Sequence, residues 1–363
     1  MRRVLVTILS VSLLIGAPIN ASAAPAAKPG ASCTKAGITQ TVSSTKYTCV
    51  KSGKKLVWNK GVSVKAAPPA PVTTTPATTA AEAWKNNAWA KFSISEESTK
   101  ALAEFKSYTS VKRASTSLVI KSEPGVPSYW TEWVTKGSGL VADSFEYPAV
   151  SKPIVVVLAK SKQWMLDTFT TTFNSQEAEG QLRAWDRAPA WAGTISNTYD
   201  IEFVEREDLI NRDNAGMKQT TGHEFFHTVQ MLWTGGSPKD IPQWFWEGAA
   251  LFVGHAASDQ NGFNTYAGDG RPHATQRNQG HTASLPLEQV TVNDGKTDPY
   301  GIGAIATEFL VSHVGMSKFV GVYREVGAGK SFADAFKAST GIYLSDFYLM
   351  FEDARAGLGV PRS

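Results

Sequence analysis

Read from the N-terminus, the pattern of hydrophobic and polar positions changes character repeatedly. Val4 to Ile15 is apolar apart from Thr7, Ser10 and Ser12, with Arg2 and Arg3 before it and Ala21-Ser22-Ala23 after it. A basic start, a short apolar run and a small-residue exit predict a secretory signal peptide over residues 1–23. The run is shorter than the ~20 residues that span a bilayer and nothing after it stops transfer, which argues against an anchor. Over 24–65 short alternating runs flank Ser52-Gly53-Lys54, so a β-hairpin is expected within a small module. Residues 66–81, AAPPAPVTTTPATTAA, carry no charge and little to bury, which predicts a semi-extended linker.

From 82 to 363 the pattern is that of one domain. Glu96 to Tyr108 and Trp164 to Phe173 have helical spacing. Thr116 to Ile120, Ile154 to Leu158, Ala190 to Ile195 and Ile201 to Val204 read as strands, the second of them apolar on both faces. After about 213 the pattern turns mainly helical, so the fold class is α+β. Residues 256–298 hold scattered Gly, Asn, Asp and Pro and predict a long loop that shapes a pocket or forms a lid. Asp259, Asn261 and Asp269 within it are oxygen donors, but their spacing matches no calcium motif.

Composition sharpens the division. Of 363 residues 42% are hydrophobic, ample for a core in a chain with more than one structural unit. Only two cysteines occur, Cys33 and Cys49, and an even number behind a signal peptide predicts one disulfide in the small module. Residues 1–65 contain ten Lys and Arg and no Asp or Glu, which, within a total of +4, leaves the remainder at −6. The basic module suits an anionic cell-wall polymer or lipid headgroups, or is a solvated lysine face. The acidic body and the lack of a recognition motif argue against nucleic acid.

The chemistry concentrates in Thr221 to Gln230, TGHEFFHTVQ, which contains H-E-x-x-H. On a helix, residues four apart share a face, so His223 and His227 can offer two imidazoles to one ion. Glu224 lies about 100° round the helix, within reach of a water at that ion. Phe225, Val229 and Leu232 form a separate apolar stripe, and Gly235-Gly236 supplies a helix stop. A second helix is expected to start with Asp240 as its N-cap, Pro242 in its first turn and Gln243 three after the cap. It carries Glu247 among Trp244, Phe245, Trp246 and Leu251. A carboxylate in so apolar a setting is costly unless compensated, and metal coordination compensates it. Two His and one Glu leave a fourth zinc position open, the catalytic arrangement.

His223-Glu224-x-x-His227, nineteen intervening residues and Glu247 in Trp-x-x-Glu-Gly-Ala-Ala resemble the gluzincin metallopeptidases, the group of thermolysin-like and aminopeptidase-like enzymes. Pro299-Tyr300-Gly301-Ile302-Gly303, an amphipathic helix from Ala306 to Val314, and helices over Ser331 to Thr340 and Asp346 to Ala354 are similar to the later part of that group; the likeness covers roughly 185–355. It implies a zincin-like two-lobed domain, with a small mixed sheet and active-site helix before a helical C-terminal lobe. It also implies one catalytic zinc on His223, His227 and Glu247, Glu224 as general base, and Tyr300 as donor to the developing oxyanion, with His281 and His313 as weaker candidates for that donor. His255 and His273 read as structural or surface residues. Trp191-Ala192-Gly193-Thr194 resembles the strand that pairs with substrate backbone, and the absence of Glu from Ala190 to Ser196, where aminopeptidases of the group carry one, favours endopeptidase action. A secreted zinc peptidase is therefore expected. A non-peptide amide or ester substrate, or a non-catalytic zinc protein that binds wall polymer through its basic module, stays open.

Overall fold

The computed structural model describes residues 27–42, 45–63, 93–114, 118–150, 152–173, 185, 190–195, 198–204, 214–236 and 240–363. The expected signal peptide and linker lie outside these residues. The chain divides into two compact units, Met1–Pro76 and Ala77–Ser363. No helix among the described residues is long and apolar enough to cross a membrane.

In the first unit β2 (Thr45–Ser52) is the central strand, antiparallel to β1 (Thr39–Val42), β3 (Lys55–Trp58) and β4 (Val62–Ser63). The expected hairpin is β2–β3: Ser52 pairs with Lys55, and Gly53 turns the chain at φ 59°, in the left-handed region that glycine adopts at no steric cost. Cys33 and Cys49 form the disulfide. Its neighbours are few, with Ala27, Cys49 and Trp58 the only buried members of the cluster. A core this small gains from the cross-link, which for a loop of 16 residues contributes about 3 kcal/mol. Lys28, Lys35, Lys46, Lys51, Lys54, Lys55 and Lys60 are all exposed.

The second unit is α+β and mostly helical. Its sheet runs β5 (Leu118–Ser122), β6 (Ile154–Ala159), β8 (Thr198–Val204), β7 (Ala190–Ile195). β5, β6 and β8 are parallel; β7 pairs antiparallel with β8 and forms an edge. β6 is buried throughout, as its unbroken apolar run predicts. Ile154, Val156 and Leu158 join the main core, and Val155, Val157 and Ala159 meet Met165 and Phe169 of α3 (Lys162–Phe173) on the other face. Among the described residues two helices precede α3. α1 (Ile94–Thr109) starts with a capping box of Ser93 and Glu96. α2 (Ser128–Ser144) is announced by no strong pattern: Pro127 caps it without a side-chain bond, and Gly137 and Gly139 interrupt it.

The helical part begins with α4 (Asn214–Thr234), the H-E-x-x-H helix, and α5 (Gln243–Gln260), which carries Glu247. α4 stops where Gly235 and Gly236 take φ of 73° and 134°. α5 departs from expectation at its start. Asp240 is exposed and Pro242, not Asp240, holds the N-cap position with no side-chain bond. The open amides of Gln243 and Trp244 instead donate to the carbonyls of Thr291 and Val290, so a distant backbone replaces the local cap.

The region 256–298 is also not the loop its composition suggests. After α5 it forms a π-turn (Tyr266–Gly270), α6 (Arg271–Arg277), α7 (Gly280–Ser284) and a 3-10 turn (Leu287–Gln289). Its buried polar groups hold it down: Arg271 Nε and the Tyr266 hydroxyl both donate to Glu308, at 3.1 and 2.6 Å. Asp259 accepts from the Tyr266 amide and Asp269 from the Thr265 amide and hydroxyl, so both carboxylates serve local turns. α8 (Pro299–Val314) is buried on nearly every face rather than amphipathic, because it runs through the centre of the bundle. α9 (Met316–Gly327), α10 (Phe332–Thr340) and α11 (Leu344–Ala354) close the domain, the last two at the positions expected.

Candidate metal centre

Small residues decide where the helices meet. A Cβ on Gly248 would collide with the backbone of Gly303, and one on Gly303 with the Trp244 carbonyl, so α5 and α8 cross in backbone contact. A Cβ on Gly254 would lie 2.6 Å from the Gln219 carbonyl, so α4 and α5 approach almost as closely. Opposite Gly254, a Cβ on Gly222 would lie 3.3 Å from the Gly254 Cα. Three of these glycines are near neighbours of candidate site residues: Gly222 of His223, Gly248 of Glu247 and Gly303 of Tyr300. The close crossings therefore bring side chains from three helices to one point.

At that point His223 Nε2 and His227 Nε2 are 3.1 Å apart. Glu247 Oε2 lies 3.1 Å from the His227 nitrogen and 3.7 Å from that of His223. Donors at ~2.05 Å around a tetrahedral ion are ~3.3 Å from one another, so these spacings fit one ion. The three residues form a buried His-His-Glu cluster that can hold a metal. Glu224 sits beside it, its Oε1 4.0 Å from His223 Nε2 and outside the ligand triangle. The cluster opens onto a cavity of about 240 Å³ lined also by Ala190, Trp191, Ala192, Met231, Trp246 and Tyr300. Trp246 stacks on His227 with ring centres 5.7 Å apart, and Tyr300 stacks on His223 at 5.8 Å.

No family model matches the chain, and no curated protein matches it. The site must be read from its own geometry.

Its electrostatics follow from burial and mutual charge. Burial pushes the Glu224 carboxyl up; the two histidines and a hydrogen bond from the Ala192 amide work against that rise, and Glu247 adds to it. Burial also opposes charge on Glu247, but His227 and His223 outweigh it and hold this carboxyl below the usual range. The His227 imidazole is raised to about 9, because Glu247 overcomes the effect of burial. Tyr300 is pushed up by burial and by Glu247 and Glu224, so its hydroxyl keeps its proton and can donate. Asn293 Nδ2 donates to that hydroxyl at 3.4 Å, and the Arg277 guanidinium lies 4.4 Å over the ring.

The other histidines fall elsewhere. His313 faces Glu97 at 3.7 Å, buried on α8 away from the cavity, and His281 is exposed on α7. Neither lines the site, so the alternatives to Tyr300 drop out. His255 is buried and bonded to His273 at 2.9 Å, a structural pair. No described residue of 256–298 lines the cavity, because the short helices of that region pack against α5 and α8 instead. Sequence reasoning missed Met231, Trp246, Asn293, Arg277 and Gln230 as neighbours of the site. Gln230 and Met231 gave a usable signal, lying three and four residues past His227 and so on the same helix face.

Proposed function

We propose that the chain is a zinc-dependent metallopeptidase of gluzincin type, with a zincin-like domain, exported from the cell and acting within peptide chains. The observation that carries this reading is the convergence of His223, His227 and Glu247 at ligand spacing, with a second carboxylate, Glu224, held beside them and facing the same cavity. A zinc ion on these three ligands supplies Lewis acidity for a scissile carbonyl and for water. Two imidazoles with one carboxylate favour zinc over magnesium or calcium, which prefer sites built of oxygen donors.

Around it the chain's own groups take definite parts. Glu224 takes the proton of the attacking water and gives it to the departing amine, a shuttle that needs a carboxylate close to the ligands but not among them. The Tyr300 hydroxyl donates to the oxygen on which negative charge develops. The edge strand β7 brings Ala190, Trp191 and Ala192 to the cavity wall, where an extended peptide can add as a further strand. Trp191, Met231 and Trp246 make the wall apolar and exclude water from the reacting bond. Export is supported by the signal-like start of the sequence and by the Cys33–Cys49 disulfide. The exposed lysines of the first unit are suited to retain the protein on an anionic wall polymer.

The test is cleavage of a mixed quenched-peptide library by the mature protein, with chelator, with zinc restored, and as Glu224→Gln. Activity lost to chelator, recovered with zinc and absent in the variant is the expected result. One equivalent of bound zinc without cleavage of any peptide would move the reading to a non-peptide amide or ester.

A further inference from the structure

The His227 imidazole is held from behind. Its Nδ1 lies 2.7 Å from Gln230 Oε1, one turn along α4, with both side chains buried. Which atom of the Gln230 amide faces the ring is decided at the amide's other end. Its nitrogen is 3.0 Å from the Trp246 carbonyl and 2.9 Å from the Tyr323 hydroxyl. That hydroxyl is itself 2.7 Å from the Phe245 carbonyl. A carbonyl only accepts, so the Tyr323 proton goes to Phe245 and the Tyr323 oxygen accepts from Gln230. Both hydrogens of the Gln230 nitrogen are then used. The flipped amide would set its oxygen against the Trp246 carbonyl with no hydrogen between them. The Gln230 oxygen therefore faces His227, Nδ1 carries the hydrogen, and Nε2 is the nitrogen that meets His223 and Glu247.

The same bonds join two helices. Phe245 and Trp246 directly precede Glu247 on α5, while Gln230 and His227 are on α4. The position of the imidazole and the position of the carboxylate are thus set by one side-chain amide. His223 has no equivalent: its Nδ1 is buried with no hydrogen-bond partner among the described residues.

We propose that Gln230 is a positioning residue of the metal centre: it keeps hydrogen on His227 Nδ1, aims Nε2 at the ion, and ties the histidine helix to the glutamate helix, so that the centre stands assembled before metal arrives. This rests on the metal-centre reading above, and deepens it by naming the residue that organises the ligands.

The experiment uses the full mature chain, stripped of metal, with two readouts. Zinc affinity is measured by competition with a chromophoric chelator for wild type, Gln230→Leu, Gln230→Glu and Tyr323→Phe. The imidazole region of the ¹H–¹⁵N spectrum is recorded on the metal-free protein. Removal of an outer hydrogen-bond partner weakens metal binding about 10- to 100-fold, and that loss is expected for Gln230→Leu. Gln230→Glu keeps an acceptor at Nδ1 but loses the donor to Trp246 and Tyr323, so it should bind more tightly than Gln230→Leu and less tightly than wild type. Tyr323→Phe, which leaves the Trp246 bond in place, should lie between wild type and Gln230→Leu. The metal-free wild type should show a His227 Nδ1–H signal protected from exchange, lost in Gln230→Leu. Wild-type zinc affinity in folded Gln230→Leu, or a His227 Nδ1–H that exchanges as fast as that of exposed His281, would overturn the proposal. If Gln230→Leu does not fold, the wild-type spectrum decides. If wild type binds no zinc, the metal-centre reading fails on its own, and the spectrum still reports whether Gln230 holds the ring.

Discussion

The two walls of the cleft are built on opposite plans. The helical wall, made by α4, α5 and α8 with α9 packed behind them, is a solid of buried rings and glycine crossings in which Phe226, Phe245, Phe319 and Tyr323 meet in stacked, tilted or edge-to-face pairs. Every candidate ligand is on this wall. The strand wall is the edge of a four-stranded sheet, one strand thick where it meets the cavity. Its described link to the candidate site is the hydrogen bond from the Ala192 amide to Glu224. An amide spent on Glu224 is not spent on β8, so β7 turns part of its backbone toward the cleft. The difference teaches a division of labour. Metal ligands need positions fixed to a few tenths of an ångström, which dense packing provides. A peptide of varied sequence needs backbone partners, which a sheet edge leaves open.

That comparison can be broken in order of expected effect. Glu224→Gln strikes the helical wall at its chemistry: turnover should fall on the order of 10³-fold while zinc affinity stays near wild type. Acid probes the cost of dense packing. His255 on α5 and His313 on α8 are held neutral by burial, with values of about 3 and 4, His273 adding to the effect on the first and Lys100 on the second. An imidazole depressed in the fold takes up its proton more readily when unfolded. Its contribution is therefore complete above about pH 6.5 and is lost as pH falls toward those values, by a few kcal/mol in total. Denaturation midpoints measured from pH 7 to pH 4 should fall accordingly, and His255→Gln should flatten part of the slope. A midpoint that is unchanged to pH 4 would contradict the burial argument.

Glycine substitutions separate a crossing from a mere helix. Gly303→Ala, which meets the Trp244 carbonyl, should cost about 3 kcal/mol in denaturant unfolding. Gly139→Ala on α2, where a Cβ meets nothing within 4 Å, should instead stabilise by up to about 1 kcal/mol. Tyr300→Phe should lower kcat about 10²-fold and leave zinc affinity unchanged. The strand wall gives the smallest effect on turnover. Proline is tolerated on a strand edge where the amide leaves the ladder. Ala192→Pro should therefore keep the fold and lose about tenfold in kcat/KM, the size of one hydrogen bond to a charged group. A loss as large as that of Glu224→Gln would mean that the strand does more than hold substrate.

The sequence made the helical wall's chemistry readable because helix periodicity is rigid. Spacing of four puts His223 and His227 together, and the apolar surroundings of Glu247 mark it as compensated. The buried strand β6 was equally legible from its run of β-branched residues. Features that depend on distant chain were not. Asp240 looks like an N-cap, but the caps of α5 are carbonyls of Val290 and Thr291. The polar, glycine-rich stretch 256–298 looks like loop, because its stabilising groups, Arg271 and Tyr266 on Glu308, are tertiary. α2 escapes notice because Gly137 looks like a breaker, although it is there to let α2 approach Thr221 of α4.

The remote cap of α5 also sets a schedule. A growing chain that has just released Glu247 holds it on a helix whose leading amides lack their acceptors, and from Trp244 to Val290 is a further 46 residues. At about 5–20 residues per second, the ribosome takes several seconds to provide them. Tyr300 and the helix that crosses at Gly303 emerge later still. The cleft is therefore among the last parts of the molecule to be finished, and a truncated or stalled chain ending before residue 290 carries H-E-x-x-H and Glu247 in its sequence without the architecture to use them.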